Sequence, residues 1–265
     1  MDERISQAAI AARLGTQIIG RQLEVHEQID STNTRATELA RQEAAEGTLV
    51  MAEQQTQGKG RLGRQWLAPP GSSLLMSLLL RPTLVLPQIH RVTMLCSLAI
   101  VEATARVAGL QACIKWPNDV TVEGKKVAGI LTEASAHGKA LTYVVVGMGI
   151  NVNLDVRTLP DLLTPATSLA TEAGHPISRL ELLLAILEGI EVRYLRLQAG
   201  WSPREEWREH LATLGQAVRV GTREEVVEGW AEDVDEDGAL LVRTDDGALR
   251  RMVAGDVTLR GQRVE

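Results

Sequence analysis

The sequence predicts an α+β fold class with a small β-barrel at its C-terminal end, and three observations carry the prediction. Apolar, strand-like runs are interleaved with helix-forming stretches up to about residue 213. After that point five short strands follow, with Asp237-Gly238 and Asp246-Gly247 as hairpin turns between them. The chain has 265 residues, 45% of them hydrophobic and 23% charged, which is ordinary globular composition and enough to bury a sizeable core. The expected division is 1–213 and 214–265.

The elements follow in order. Residues 1–15 read as a short amphipathic helix, and 16–29 alternate loosely, as one or two strands would. Asp30-Ser31-Thr32-Asn33 is a cluster of helix N-cap residues. Good helix formers fill 34–46, and Gly47 stops them. A buried strand is expected over 48–53. Residues 54–73 (QQTQGKGRLGRQWLAPPGSS) fit no regular element, and ordered loops of that length are usually functional. Residues 74–80 form an apolar strand, Pro82 and Pro87 bracket a turn, and 88–108 form a long buried helix ended by Gly109. Residues 112–115, 120–122 and 127–133 read as a meander, 141–146 as a central strand followed by GMGINVN, and 154–176 as loop. Ser178 caps a helix over 178–199, with Glu181 at the capping-box position, and 203–214 is a further helix. The barrel strands are placed at 218–220, 226–230, 240–243, 249–253 and 257–259.

Composition excludes several classes. The net charge of −6 argues against a surface coated in basic charge for nucleic acid, although not against one local basic site. Two cysteines, Cys96 and Cys113, cannot make a disulfide framework or a Cys-rich zinc site, and a reduced, cytoplasmic setting is expected. No apolar run is long enough to span a membrane, and the N-terminus lacks a signal-peptide layout. Phe is absent and aromatics total 3%, so the core must be aliphatic; Cys96, Cys113 and Trp230 are read as part of the interior. His26, His90, His137, His175 and His210 are scattered without metal-ligand spacing, so no fixed metal is expected. No G-x-S-x-G elbow supports a serine hydrolase.

Four segments carry chemistry. Gly58-Lys59-Gly60-Arg61-Leu62-Gly63-Arg64 has glycines at G-x-G-x-x-G spacing, but Pro69-Pro70-Gly71 follows where a dinucleotide-binding turn would open into a helix. A phosphate loop of the G-x-x-x-x-G-K-[ST] type also fails, because Lys59 is not followed by Ser or Thr. Glycines let backbone approach an anion closely, and cations so crowded repel one another unless an anion joins them. An acidic protein with Lys59, Arg61 and Arg64 in one loop therefore presents a polyanion site. Lys115-Trp116-Pro117-Asn118-Asp119 reads as an extended residue before proline and then a turn with outward amide and carboxylate groups. In Lys126-Val127-Ala128-Gly129-Ile130-Leu131, glycine inside an apolar strand suggests close approach of a ligand, and Gly147-Met148-Gly149-Ile150-Asn151 suggests tight packing or the same.

Together with Ser31-Thr32-Asn33, these segments resemble the biotin protein ligases, and the resemblance covers almost the whole chain. Lys59 departs from the pattern, standing where arginine is usual, which keeps the charge and loses the planar fork. The resemblance implies a mixed β-sheet backed by helices, a class II synthetase-like catalytic domain, followed by an SH3-like barrel. It implies the form without the N-terminal DNA-binding domain that the repressor members carry. The implied reaction joins biotin to AMP from ATP, with Mg²⁺ accompanying ATP, and passes biotin to a lysine of a biotin carboxyl carrier protein. Arg61 and Lys126 are the implied catalytic residues. Biotin would be bound by Ser31, Thr32, Asn33, Gln55, Lys59, Gly60, Arg61, Lys126 and Gly129, and ATP by Gly58, Arg61, Arg64, Trp66, Asn118, Lys126 and Asn151. Lys59, Arg61 and Lys126 are expected to converge where the acyl group meets AMP. A homodimer is possible; no nucleic acid or membrane partner is expected. A lipoate–protein ligase, a nucleic-acid-binding regulator and a barrel-based interaction module remain alternatives.

Overall fold

A computed structural model describes residues 5–158, 165–222 and 224–259. In chain order the elements are α1 (Gln7–Ala11), β1 (Leu23–Ile29), α2 (Thr32–Arg41), β2 (Leu49–Gln55), β3 (Ser73–Leu80), α3 (His90–Ala108), β4 (Cys113–Lys115), β5 (Asp119–Val122), β6 (Lys125–His137) and β7 (Ala140–Asn151). There follow α4 (Leu169–Ala173), α5 (Arg179–Gln198), α6 (Arg204–Glu209), β8 (Ala217–Gly221), β9 (Val226–Val234), β10 (Leu240–Arg243), β11 (Leu249–Met252) and β12 (Asp256–Leu259).

Strands β1 to β7 make one mixed sheet in the order β1-β2-β3-β7-β6-β5-β4, with β1 and β2 parallel and the other neighbours antiparallel. Period-two alternation separates its faces. Val144, Val146, Met148 and Ile150 of β7, with Leu74, Met76, Leu78 and Leu80 of β3, enter the main core with α3 and α5. The other face carries a small cluster of Ala36, Ala40, Val50, Leu79 and Val145, which seats α2. Beyond that cluster the same face of β7 continues as Gly147, Gly149 and Asn151, and there the site lies.

Strands β8 to β12 form a five-stranded antiparallel sheet in the order β11-β10-β9-β8-β12. Trp116 ties it to the rest, its indole Nε1 donating to Gly238 O at 2.9 Å and its backbone N to Thr213 Oγ1 at 2.9 Å. At the N-terminal side, buried Glu191 of α5 accepts the backbone N–H groups of Gln17, Ile18 and Ile19 at 2.6, 2.8 and 2.9 Å.

Several expectations shift, each for a local reason. Helix α2 spans Thr32–Arg41 rather than 34–46, because Glu43 turns to φ 60° and Ala44 N–H closes onto Leu39 O at 3.0 Å. Helix α6 stops at Glu209, since His210 O and Ala212 N pair with Ile114 backbone and extend the sheet edge. Strand β7 runs through GMGIN to Asn151 rather than stopping at 146. Ser178 does cap α5, accepting Glu181 N–H at 3.3 Å. Cys113 is exposed, and Trp230 is 52% exposed because it shares the outward parity of β9 with Val226 and Glu228, while Val227 and Ala231 point inward.

Candidate active site

The floor of the site is made of missing side chains. Across the sheet, Ser77, Gly147 and Leu131 lie side by side on β3, β7 and β6, and Leu75, Gly149 and Gly129 form the next row, with Asp119 of β5 beyond Gly129. A Cβ on Gly147 would lie 2.1 Å from Asn33 Oδ1, so the Asn33 amide rests directly on backbone there. A Cβ on Gly149 would meet the Trp66 ring at 2.4 Å, and one on Gly129 would meet it at 2.9 Å. The loop between β2 and β3 thus lays its indole into a slot that only glycine leaves open.

That loop folds back on itself. Trp66 N–H donates to Gly58 O at 3.0 Å and Gly60 N–H to Arg64 O at 2.7 Å, with a single turn over Arg61–Gly63 at the tip. Gln57 N–H reaches Asp30 O at 2.8 Å, which roots the loop beside the start of α2.

One end of the site is polar and neutral. Thr32 N–H donates to Gln55 Oε1 at 2.8 Å, Thr32 Oγ1 lies 3.0 Å from the same oxygen, and Ser77 Oγ lies 2.8 Å from Thr32 Oγ1 and 2.6 Å from Asn33 Oδ1. Asn33 Nδ2 donates to Glu133 Oε2 at 2.7 Å. Ser31 occupies the N-cap of α2 but makes no cap bond; its hydroxyl is buried without a partner. An unpaired buried hydroxyl costs about 1–3 kcal/mol unless something meets it. Trp66 Nε1 and Asn151 Oδ1 are buried and unpaired as well, while Asn151 Nδ2 donates to Thr167 O at 3.0 Å.

The other end is charged. Lys126 Nζ sits 2.7 Å from Asp119 Oδ1 and 5.4 Å from the centroid of the Trp66 ring. Arg61 donates to Asn118 Oδ1 at 2.8 Å and to Gly255 O at 3.2 Å, and Asn118 Nδ2 in turn donates to Ile130 O at 2.7 Å. Burial pushes the Arg61 pKa below its ordinary value, opposed by Asp256 and Asp119. Lys115 is lowered too, first by burial, with Asp119 opposing and Lys126 adding to the effect. Arg64 pairs with Asp256 of β12.

The structure therefore brings Arg61 and Lys126 to the Asn118–Asp119 turn. Lys59 does not join them: its ammonium faces Glu133 Oε1 at 3.9 Å, beside Asn33. Sequence reasoning passed over Ser77 and Glu133; it read Lys115 and the outward carboxylate of Asp119 only as parts of one turn, without the Lys126 partner, and Gly147 and Gly149 as tight packing or ligand approach, without the Asn33 amide and Trp66 ring that rest on them. The glycine signal was present, since two glycines at i and i+2 in an apolar strand must share one face.

Residues 25–151 match the biotin/lipoate A/B protein ligase family, and residues 213–260 match the biotin protein ligase C terminal domain. The bifunctional ligase/repressor BirA of Bacillus subtilis is 37% identical over 259 residues, which is 97% of this chain and 79% of that protein. This chain belongs to the biotin/lipoate A/B protein ligase family. The ligase is also 35% identical to the biotin–[acetyl-CoA-carboxylase] ligase of Paracoccus denitrificans, over 81% of this chain and 91% of that one. Among solved structures, the Aquifex aeolicus biotin protein ligase in complex with biotin and ATP superposes with a TM-score of 0.76 at 30% identity, covering 91% of this ligase and 99% of that chain. No described helix of the ligase is long and apolar enough to cross a membrane.

Proposed function

We propose that this ligase activates biotin as biotinyl-5′-AMP and transfers it to a lysine of a biotin carboxyl carrier protein. The observation that carries the reading is one strip of the sheet, floored by Gly147, Gly149 and Gly129, with an uncharged polar end, where Ser31 Oγ is unpaired, and a cationic end, where Arg61 holds Asn118 and Lys126 holds Asp119. A urea head and a carboxylate tail need those two environments in that order.

In the first step a carboxylate oxygen of biotin bonds to the α-phosphorus of ATP and the bond to the β-phosphate oxygen breaks, releasing pyrophosphate. Two unit charges about 4 Å apart repel by roughly 4 kcal/mol at an effective dielectric of about 20. The step therefore needs cations more than a base, and Arg61 and Lys126 supply them from a half-buried position where charge is weakly screened. Lys126 exchanges Asp119 for the substrate oxygens. In the second step the acceptor amine attacks the acyl carbon and AMP leaves. Trp66 walls the adenylate; Arg64, Asn118 and Asn151 serve the nucleotide. Among the described residues no three His, Cys, Asp or Glu side chains gather to hold a metal. Mg²⁺, which keeps most of its water and binds through substrate phosphates and one or two carboxylates, suits the single carboxylate of Asp119. We also place the division between the catalytic part and the C-terminal unit near residue 213.

The test is ATP–pyrophosphate exchange with biotin or lipoate as the acid. Exchange driven by biotin, and strongly slowed in Lys126→Ala, is expected. Exchange with lipoate alone would overturn the choice of acid, and exchange with neither would overturn adenylation.

A further inference from the structure

We propose that Glu133 is a positioning residue that fixes which atoms of the neutral pocket donate hydrogen bonds and which accept them, and so sets its affinity for a urea. The inference rests on the biotin reading above and names a residue outside the set implied by the family motifs.

One continuous chain of side chains links four elements: Glu133 on β6, Asn33 and Thr32 on α2, Ser77 on β3 and Gln55 on β2. Asn33, Ser77 and Thr32 are buried, at 4%, 0% and 3% exposure, so water does not arbitrate among them. A primary amide has two ends of nearly equal shape, and its orientation is set by its partners. An ionised carboxylate only accepts. Glu133 Oε2, at 2.7 Å, therefore draws the amide Nδ2 of Asn33 toward itself and leaves Oδ1 facing Ser77. Oδ1 only accepts, so the single Ser77 hydroxyl hydrogen goes there, at 2.6 Å. Ser77 oxygen is left as an acceptor toward Thr32.

From the opposite side, the backbone N–H of Thr32 holds Gln55 Oε1, which turns Gln55 Nε2 outward as a donor; Nε2 lies 3.2 Å from where a Cβ on Gly58 would stand. The Thr32 hydroxyl hydrogen is taken by Gln55 Oε1 or Ser77 Oγ, both acceptors, so toward the pocket Thr32 presents lone pairs. The pocket thus offers Gln55 Nε2 as a donor, Thr32 Oγ1 as an acceptor and the unpaired Ser31 hydroxyl as either. A cyclic urea carries one acceptor oxygen and two N–H donors and needs that alternation. Leu131 O also accepts from Asn33 Nδ2, but at 3.5 Å, so Glu133, at 2.7 Å, is the close acceptor-only terminus from which the order propagates. Its second oxygen faces Lys59 at 3.9 Å, which keeps a counter-charge beside the carboxylate.

Because Glu133 touches Asn33 and not the ligand, its loss should weaken biotin binding and spare the chemistry. Steady-state biotin-dependent ATP–pyrophosphate exchange tests this on the full chain with Glu133→Ala, Glu133→Gln and the double variant Asn33→Asp/Glu133→Gln. Glu133→Ala should raise KM for biotin about tenfold or more, with kcat and KM for ATP within about twofold, as expected when binding is lost uniformly. Asn33→Asp alone sets two carboxylates together and should be worse. The double variant restores a donor at 133 against an acceptor at 33, keeps Ser77 donating, and should recover most of the biotin KM. A general loosening of the fold would move KM for ATP as well and would not be rescued. If the parent exchanges with biotin while Glu133→Ala keeps the parent biotin KM, or the double variant is no better than Asn33→Asp, the role of Glu133 is overturned alone. If the parent shows no biotin-dependent exchange, the underlying reading falls and takes this role with it.

Discussion

The two ends of the site solve different problems with different residue types. At the neutral end, Thr32, Asn33, Ser77, Glu133 and Gln55 Oε1 satisfy one another within the protein and leave Ser31 Oγ and Gln55 Nε2 for a ligand. At the charged end three cations already hold partners of the protein's own: Lys126 has Asp119, Arg61 has Asn118 and Gly255 O, and Arg64 has Asp256. The first end is built to receive a ligand without rearrangement, whereas the second must trade internal partners for substrate oxygens. Preorganised hydrogen bonds confer selectivity, while exchangeable ion pairs keep buried cations from repelling each other before an anion arrives.

The largest expected effect lies at the charged end. Arg61→Ala should lower adenylate formation or its retention by about 2–4 kcal/mol, the scale for losing one preorganised donor to developing charge. Pyrophosphate exchange and adenylate retention equal to the parent's would place Arg61 outside the chemistry. Next, Gly147→Ala drives a methyl group onto Asn33 Oδ1 and should cost about 1–3 kcal/mol, the usual range for overpacking, and chiefly in biotin binding. Isothermal titration with biotin reads it, and unchanged affinity would mean that the neutral end is less rigid than its hydrogen bonds imply. Asp256→Asn frees Arg64, and since this pair is partly exposed, stability should change by less than about 1 kcal/mol. A larger loss in a chemical denaturation curve would show that the ion pair clamps the loop.

The smallest effect concerns pH. His90 lies near Arg61, with Asp237, Arg251 and Asp235 around it, and burial lowers its pKa, with the Arg61 charge adding to the shift. The unfolded chain then binds the proton more readily than the folded one. Stability is undiminished above the unfolded value near about 6.5 and declines as pH falls from there toward the lower folded-state value. His90→Gln should flatten the fall in melting temperature between about pH 7.5 and pH 5.5, and an unchanged slope in the variant would assign that fall to other groups.

Much of the fold was legible because continuous apolar runs, such as 74–80 and 141–146, mark the central strands. Val144, Val146, Met148 and Ile150 mark one face of β7 as plainly as any strand could. Helix ends were harder: Glu43 in a left-handed conformation ends α2 well before Gly47, and nothing in the propensities of 34–46 signals it. Gly47 answers a different demand, since a Cβ there would lie 2.2 Å from Ile18 O. Arg61, Lys126 and Asn118 could be read from their motifs. The outward carboxylate of Asp119 was legible in the same turn, although its Lys126 partner was not. Ser77 and Glu133 could not be read, because only cross-strand register, Ser77 beside Gly147 and Glu133 beside Val145, brings them to Asn33. Lys59 shows the limit of motif reasoning in the other direction, as its loop position says nothing about which acidic group its ammonium will find.

The Trp66 indole, seated on two glycines with its Nε1 unpaired, also gives the protein a built-in optical probe. Of the five tryptophans, Trp116 and Trp207 have their Nε1 bonded inside the core, Trp201 stacks on Arg196 and Trp230 faces solvent. With no phenylalanine and two tyrosines in the chain, intrinsic emission comes almost wholly from these five rings. Occupancy of the cleft can therefore be followed without a label, and replacing Trp66 alone should silence that signal while the other four continue to report the integrity of the fold.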